Sequence, residues 1–380
     1  MRWKLRGWDI SPSLWRRLSR GSMCVDSGRA PPHPRYMGRI AWGLAAGALA
    51  IATAAVAQNV PGLVPALPYV TYSPDERLAL SGKPVRPEAD ALYDAATRKE
   101  MARVALAQPY APLPAIWKIS DADTSIYLFG TVHSLPPGFR WRNPGLEAVI
   151  VRADSLLLES IDEEADDVTF LEGLPAGGAL PPLIDRVSHR TRAKLAEVQA
   201  ILPAEMVTEL DKMPSWIAAM SIGTIRDMLA GDIPSQGADD WLEKHFRSLG
   251  RPVHAIEDSK AVVTSINAVP ESAQRMMLEA ALLSPLRSHE QLDAVAHAWA
   301  QGNVGANSPL IIMPESIDPN AEMADPLLVQ RNNAWVESLI DRLRTKPGVI
   351  LFAAGAGHFV GEGSVIELLA ARGLRVERVQ

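Results

Sequence analysis

Two histidines, each three residues behind a glycine, have the clearest capacity for chemistry in this chain. His133 closes Gly130-Thr131-Val132-His133 after the apolar run Ile126 to Phe129, and His358 closes Gly355-Ala356-Gly357-His358 after Val349 to Ala354. A buried strand sets direction, a glycine at its end permits a sharp turn or a close backbone approach, and the imidazole arrives at one edge of a sheet. Glu159 ends the run Leu156-Leu157-Leu158, where a carboxylate is costly to bury without a partner. Glu257 ends a further strand-like run, and Arg331 lies on a long helical stretch with the reach to hold a carboxylate or an oxyanion. Two imidazoles with one or two carboxylates make a nitrogen and oxygen donor set suited to manganese, cobalt, zinc or iron, with a position left for water. Hydrolysis is the natural reaction class for such a centre. The same residues also admit a plainer account, with hydrogen-bonded structural histidines and a Glu159–Arg331 ion pair.

The elements that must position these groups are legible in the patterning. Ala115 to Ile119 and Ser125 to Phe129, joined by the polar turn Asp121 to Thr124, read as a hairpin. A helix from Asn143 to Ala153 and a strand from Ser155 to Glu159 follow, a unit that favours neighbouring parallel strands. Apolar spacing of three and four from Leu183 to about Asp232 predicts a helical layer. A helix opening at Asp239, a strand from Pro252 to Glu257, helices from Pro270 to Gly302 and one long helix from Asp325 to Lys346 come next. The chain ends in the strand Val349 to Ala354, a helix from Gly363 to Arg372 stopped by Gly373, and a strand from Arg375 to Val379. The expected fold class is α/β, with a mixed β-sheet core flanked by helices. Ligands bind beyond the carboxyl ends of strands in such sheets, and His133, Glu159, Glu257 and His358 all follow strands.

The N-terminus reads differently. From Met37 the chain runs through Gly38-Arg39 into an Ala-rich apolar stretch and an Ala55-Val56-Ala57 exit, the pattern of a secretory signal peptide over 37–57. Residues 1–36 then read as an upstream or disordered extension, 58–114 as a proline-rich leader with one helix from Pro87 to Ala107, and 115–380 as the main domain. The expected location is periplasmic or secreted, or membrane-anchored if the segment stays uncleaved. Residues 1–57 hold nine of the 38 Lys and Arg but two of the 44 Asp and Glu, so the remainder is strongly acidic. An acidic domain is a poor match for nucleic acid, and no membrane span is expected in the mature form. The single cysteine, Cys24, lies ahead of the expected cleavage point, which excludes a disulfide framework, a thiol nucleophile or a Cys-ligated metal from the mature chain.

Other catalytic signatures are absent. His289-Glu290 is followed by a histidine only at 297, so no His-Glu-x-x-His exists, and these residues read as part of a solvated helix. Neither a Gly-x-Ser-x-Gly elbow nor a phosphate-binding Gly-rich loop with Lys and Ser/Thr occurs. Trp216 and Trp335 read as core aromatics.

The order and spacing of Ile116-Trp117, Tyr127-Leu128-Phe129-Gly130-Thr131-Val132-His133, the Leu-Leu-Leu-Glu159 strand, Met213-Pro214-Ser215-Trp216, Gly237-Ala238-Asp239, Ile256-Glu257, Arg331-Asn332 and Gly355-Ala356-Gly357-His358 resemble the TraB/GumN (PrgY) family, relatives of the Tiki-type metalloproteases. The resemblance runs from about Ala115 to the C-terminus. It implies a fold akin to the erythromycin-esterase and ChaN group, a site built from both Gly-x-x-His motifs and a glutamate, and, for the Tiki branch, a divalent-metal protease. Ile256-Glu257-Asp258 departs from the Leu-Glu-Thr often found there and adds a second acid.

Taken together, the residues point to an exported metal-dependent hydrolase, peptidase-like, using Mn, Co or Zn. His133, His358 and Glu159 are the expected metal ligands and, with Arg331, the catalytic group. Glu257, Asp239, Gly130 and Gly355 are expected to face the peptide or small-molecule substrate. The alternatives are a non-catalytic protein that binds a peptide or haem-like ligand, and a metal-free esterase-like hydrolase with His133 as general base.

Overall fold

The computed structural model describes residues 87–161, 180–202, 204–229, 235–285, 287–311 and 325–380. The expected extension, signal peptide and first part of the leader, with Cys24, lie outside the described residues. The leader helix α1 (Pro87–Ala107) has the bounds its proline and acidic first turn suggest.

Strands β1 (Ile116–Ser120) and β2 (Thr124–Thr131) form the expected antiparallel hairpin, with Ile116 opposite Phe129. Its turn is held by Asp121 Oδ1, which accepts from the Thr124 amide at 2.8 Å. Beyond the short β3 (Ser134–Leu135) comes α2 (Pro144–Arg152). The Asn143 side chain caps it by accepting from the Leu146 amide, and Pro144 stands where no helical N–H is needed. Strand β4 (Ser155–Leu158) follows and delivers Glu159.

Four helices, α3 (Leu183–Arg186), α4 (Arg192–Gln199), α5 (Ala204–Lys212) and α6 (Ser215–Leu229), make the expected helical layer. Strand β5 (Ser235–Gln236) then pairs back on β3, with Ser134 opposite Gln236, ahead of α7 (Ala238–Ser248) and β6 (Val253–Ala255). Helix α8 (Ser259–Asn267) occupies a stretch to which the sequence reading assigned no helix. Asp258 caps it through two backbone amides, so the acid that departs from the family pattern serves a helix terminus. Helices α9 (Glu271–Leu283) and α10 (His289–Ala300) follow. A π-helical turn (Asp325–Val329) leads into α11 (Gln330–Thr345), where a single long helix was expected. Strand β7 (Gly348–Gly355), a 3-10 turn (Ala356–Phe359), α12 (Val365–Ala371) and β8 (Glu377–Arg378) complete the chain.

The six-stranded mixed sheet runs β6-β4-β7-β2-β1-β8. Strands β6, β4, β7 and β2 are mutually parallel, so their carboxyl ends lie at one edge. One expectation is corrected: β2 and β4 are parallel but not neighbours, because β7 lies between them. Leu351, Phe352, Ala353 and Ala354 are at most 1% exposed, and an apolar run buried on both faces belongs in the middle of a sheet.

Alternate β7 residues enter two cores. Leu351 and Ala353 pack with Phe129, Leu146, Leu242 and Trp299, and Phe352 and Ala354 pack with Leu128, Trp335, Leu339 and Leu369. The helical layer has a core of its own around Trp216, Ile217, Ile222 and Leu278, which Leu327 of the π turn also enters. Trp216 and Trp335 are each 1% exposed, in keeping with core aromatics. His297 is not on a solvated face: its Nδ1 meets the Tyr110 hydroxyl at 2.5 Å and its ring stands edge-on to Phe139. Among the described residues no helix is long and apolar enough to cross a membrane.

Candidate functional site

The carboxyl edge of the parallel strands gathers all four chemistry-bearing residues that follow them. Gly355, the last residue of β7, shows how closely. A Cβ built there would lie 3.1 Å from Glu159 Oε1, 3.3 Å from His133 Nε2 and 3.6 Å from His358 Cδ2. The two histidine motifs therefore meet, and Gly355 has no side chain because the three groups converge on the space one would fill. The Gly355 amide donates to Glu159 Oε1, which ties the carboxylate to the β7 backbone.

Each imidazole is held from behind. His133 Nδ1 is 2.9 Å from Asp239 Oδ2, and both side chains are about one-quarter exposed or less, at 22% and 24%. The β3–β5 ladder and the Ala238 amide, which donates to the Val132 carbonyl at 3.0 Å, bring α7 to the His133 turn. Gly237 is required for this approach, since a Cβ there would lie 2.2 Å from the His133 carbonyl oxygen. Asp239, expected to face substrate, thus engages His133 through Oδ2, while Oδ1 is buried with no hydrogen-bond partner among the described residues.

His358 is anchored by Asn332, whose Oδ1 is 2.6 Å from Nδ1. The Asn332 amide nitrogen donates to the Gly363 carbonyl at 2.9 Å, which fixes the amide orientation. Its oxygen can only accept, so His358 Nδ1 carries the hydrogen and Nε2 keeps its lone pair. That nitrogen faces Arg331 Nη1 at 3.5 Å.

Arg331 is the buried hub. Nη2 donates to Glu159 Oε2 at 2.6 Å and to Glu257 Oε1 at 2.6 Å, Nε donates to Glu257 Oε2 at 3.0 Å, and Nη1 donates to the Leu327 carbonyl at 3.2 Å. The Trp335 indole donates to Glu257 Oε2 at 2.6 Å, and its ring lies under the guanidinium and beside His358. Arg331 and Glu257 therefore bind each other, and Arg331 also takes up Glu159 in the pairing the plainer account foresaw. Gly130 lies one residue inside the strand end, where its carbonyl accepts from Trp299 Nε1 at 2.7 Å.

A family model described as the TraB/PrgY/gumN family matches residues 115–378, a span that contains every residue of this cluster. The chain belongs to this family. Comparison with curated proteins and with solved structures gives no match.

In this TraB-family site the environments drive the titrating groups apart. Burial alone would lower His133, but the Asp239 carboxylate, with Glu159 and Asp240 behind it, raises it to about 9. Burial pushes Glu159 up, yet Arg331 and the two histidines beside it bring it down to about 2. His358 falls to about 3, through burial and then the Arg331 charge. At neutral pH the centre thus holds one imidazolium and one neutral imidazole. Glu257 is raised by burial against the pull of Arg331, and Arg331 is raised because its two carboxylates outweigh burial.

The donor types and their anchoring suit a divalent cation, because a histidine fixed at Nδ1 offers Nε2 to a metal. As the side chains stand, no group of three His, Cys, Asp or Glu residues among the described residues is arranged to hold one. The reason is visible in His358, which turns Cδ2 toward Gly355 and Nε2 toward Arg331. Cation uptake at all three donors requires this nitrogen to leave Arg331. Sequence reasoning missed Asn332 and Trp335 as site residues. Asn332 had a signal in its place beside Arg331; Trp335 had none beyond helical spacing on the same face.

Removing the Asp239 charge tests the His133 assignment. Asp239→Asn is expected to lower the His133 pKa from about 9, because burial then acts without its main opponent. Stability follows with a definite sign. The wild-type contribution is complete below about 6.5 and is lost as pH rises through about 9, so the variant's deficit should shrink above pH 9. Histidine proton NMR titration and melting at several pH values read both effects.

Proposed function

We propose that this TraB-family chain is a hydrolase of amide or ester bonds, peptides foremost, whose centre takes up a divalent cation at His133, His358 and Glu159. The observation that carries the reading is the convergence around Gly355. Two imidazoles held at Nδ1 and one carboxylate on β4 approach a single space, which no residue taken alone explains as packing. Bound there, Mn, Co or Zn would polarise a carbonyl and lower the pKa of water to about 7.

The chain's own residues supply the rest. His133, held by Asp239 at Nδ1, carries a proton on Nε2 only while no cation is bound; with Nε2 given to a cation, the leaving nitrogen or oxygen takes the proton that the attacking water gives up. Arg331 keeps Glu159 ionised and holds both Glu159 and Glu257 in place; with its donors engaged it acts through these two side chains rather than by gripping a substrate anion. Glu257 and Trp335 fix Arg331 in turn. Export belongs to the same proposal and rests on the signal-like segment at 37–57.

The test is elemental analysis of the purified protein beside turnover of a mixed fluorogenic peptide library. About one Mn, Co or Zn per chain is expected, with turnover abolished by EDTA and restored by added Mn. Activity that survives complete chelation would favour a second reading, supported by the His133–Asp239 pair, in which this dyad moves protons without a metal. Stoichiometric capture of an uncleaved ligand would favour a binding protein and sink both hydrolytic readings.

A further inference from the structure

Thr131 is the residue of the first Gly-x-x-His motif to which no role has yet been assigned. It is 2% exposed, yet its hydroxyl has no hydrogen-bond partner among the described residues. A buried hydroxyl without a partner costs stability, so its presence here asks for a reason outside packing.

The register of the sheet says which face this side chain occupies. Thr131 is the Cα partner of Gly355 in the parallel β2–β7 pair. Paired residues on adjacent strands project to the same face, about 4.8 Å apart. At Gly355 that direction leads to Glu159 Oε1 and His133 Nε2. Gly130, one residue earlier, projects the opposite way, and a Cβ there would meet Ala356 and Phe359. The alternation therefore puts the Thr131 side chain on the face where the histidines and Glu159 converge.

We infer that Thr131 is a substrate-contacting catalytic residue whose hydroxyl donates to the carbonyl oxygen of the scissile amide or ester. This rests on the hydrolytic reading of the same centre. When the oxygen of water bonds to the carbonyl carbon, the C=O π pair moves onto the carbonyl oxygen; as C=O reforms, the bond to the leaving nitrogen or oxygen breaks and that atom takes the proton water gave up. A fixed donor in a dry site stabilises that developing oxyanion more than the ground-state carbonyl. Neither neighbour competes for the donor role: Glu159 can only accept, and in the same reading His133 Nε2 is a cation ligand rather than a donor. The ligand class is a tetrahedral oxyanion derived from a carboxylic acid derivative.

Thr131→Val replaces the hydroxyl by a methyl of similar shape, and Thr131→Ser retains it. The full chain with saturating Mn is compared by peptide turnover, by melting, and by calorimetric titration with a tripeptide phosphinate, whose tetrahedral oxygens stand for the hydrated amide. Thr131→Val is expected to lower kcat by about 100-fold with little change in KM, to weaken phosphinate binding at least tenfold on the same principle, and to melt no lower than wild type. Thr131→Ser should keep most of the turnover and the binding. Unchanged phosphinate affinity in Thr131→Val, or no phosphinate binding by wild type, overturns the proposal. A lower melting temperature with unchanged kcat does so too, because it assigns the hydroxyl to structure. Wild type that binds phosphinate through Thr131 yet hydrolyses nothing would sink the hydrolytic reading and leave the oxyanion contact standing.

Discussion

Arg331→Met is expected to be the most destabilising single substitution in the cluster, at about 3–5 kcal/mol. Arg331 is 4% exposed and is shared by Glu159, which is buried, and Glu257, which is partly buried beside it. Methionine keeps much of the volume but leaves two negative charges close together with no counter-charge, and the cost of breaking a buried pair comes mainly from the partner left behind. For a domain of this size the loss is roughly a 10 °C fall in melting temperature. Arg331→Lys should recover only part of it, because an ammonium cannot offer the fork that reaches both carboxylates.

The pH dependence has a defined sign. In wild type the depressed Glu159 pKa gives stability that is full above about 4.5 and is lost as pH falls through about 2. Without Arg331, burial dominates and raises the carboxyl, so the variant is penalised most at neutral pH. Its deficit should narrow as pH falls below about 5, where protonation removes the buried charge. Melting curves from pH 4 to pH 8 on both proteins check this. A deficit that stays constant over the range would mean that the lost packing on Trp335, not charge, sets the cost.

The second large effect is catalytic. His133→Ala and His358→Ala are each expected to lower kcat/KM on the peptide substrate by about 10²–10⁴-fold, with the folds intact. The causes differ. His133→Ala removes one cation ligand and leaves Asp239 facing an empty turn, whereas His358→Ala removes another and leaves Asn332 Oδ1 without its donor beside Arg331. The His358 variant should therefore lose more stability, since His358 is 6% exposed and its partner is also buried. Both variants should lose bound metal. Polar changes such as His133→Gln should not restore turnover, because an amide nitrogen offers no free lone pair to a cation and does not titrate near neutral pH.

Much of the sheet was legible because apolar runs and turn residues act locally. The hairpin at 116–131, helix α2 with its Asn143 cap and the strand ending in Glu159 all follow from residues near one another in sequence. Strand order was not legible. Nothing local in Val349 to Ala354 says that β7 inserts between β2 and β4, since that place is settled by burial of both faces against distant helices. Helix α8 was not legible, although Asp258 directly ahead of it is an N-cap residue type and its side chain caps the helix.

The site divides in the same way. Strand ends announced His133, Glu159, Glu257 and His358, and their convergence follows once four parallel strands share an edge. The contacts behind them were not announced. Asp239 reaches His133 only through the short β3–β5 ladder and the close approach at Gly237, and Trp335 is a core residue whose indole happens to meet Glu257. Such partners are fixed by tertiary packing, which a spacing pattern does not carry.

The two Gly-x-x-His motifs are proposed to form one hydrolytic centre with Glu159. A double-mutant cycle on kcat/KM, with His133→Ala, His358→Ala and the double variant assayed on the same peptide with saturating Mn, tests it most directly. Residues that act as a unit are strongly non-additive, so the double variant should be about as slow as the slower single one. Losses that simply multiply, or a single variant with wild-type turnover, would contradict it.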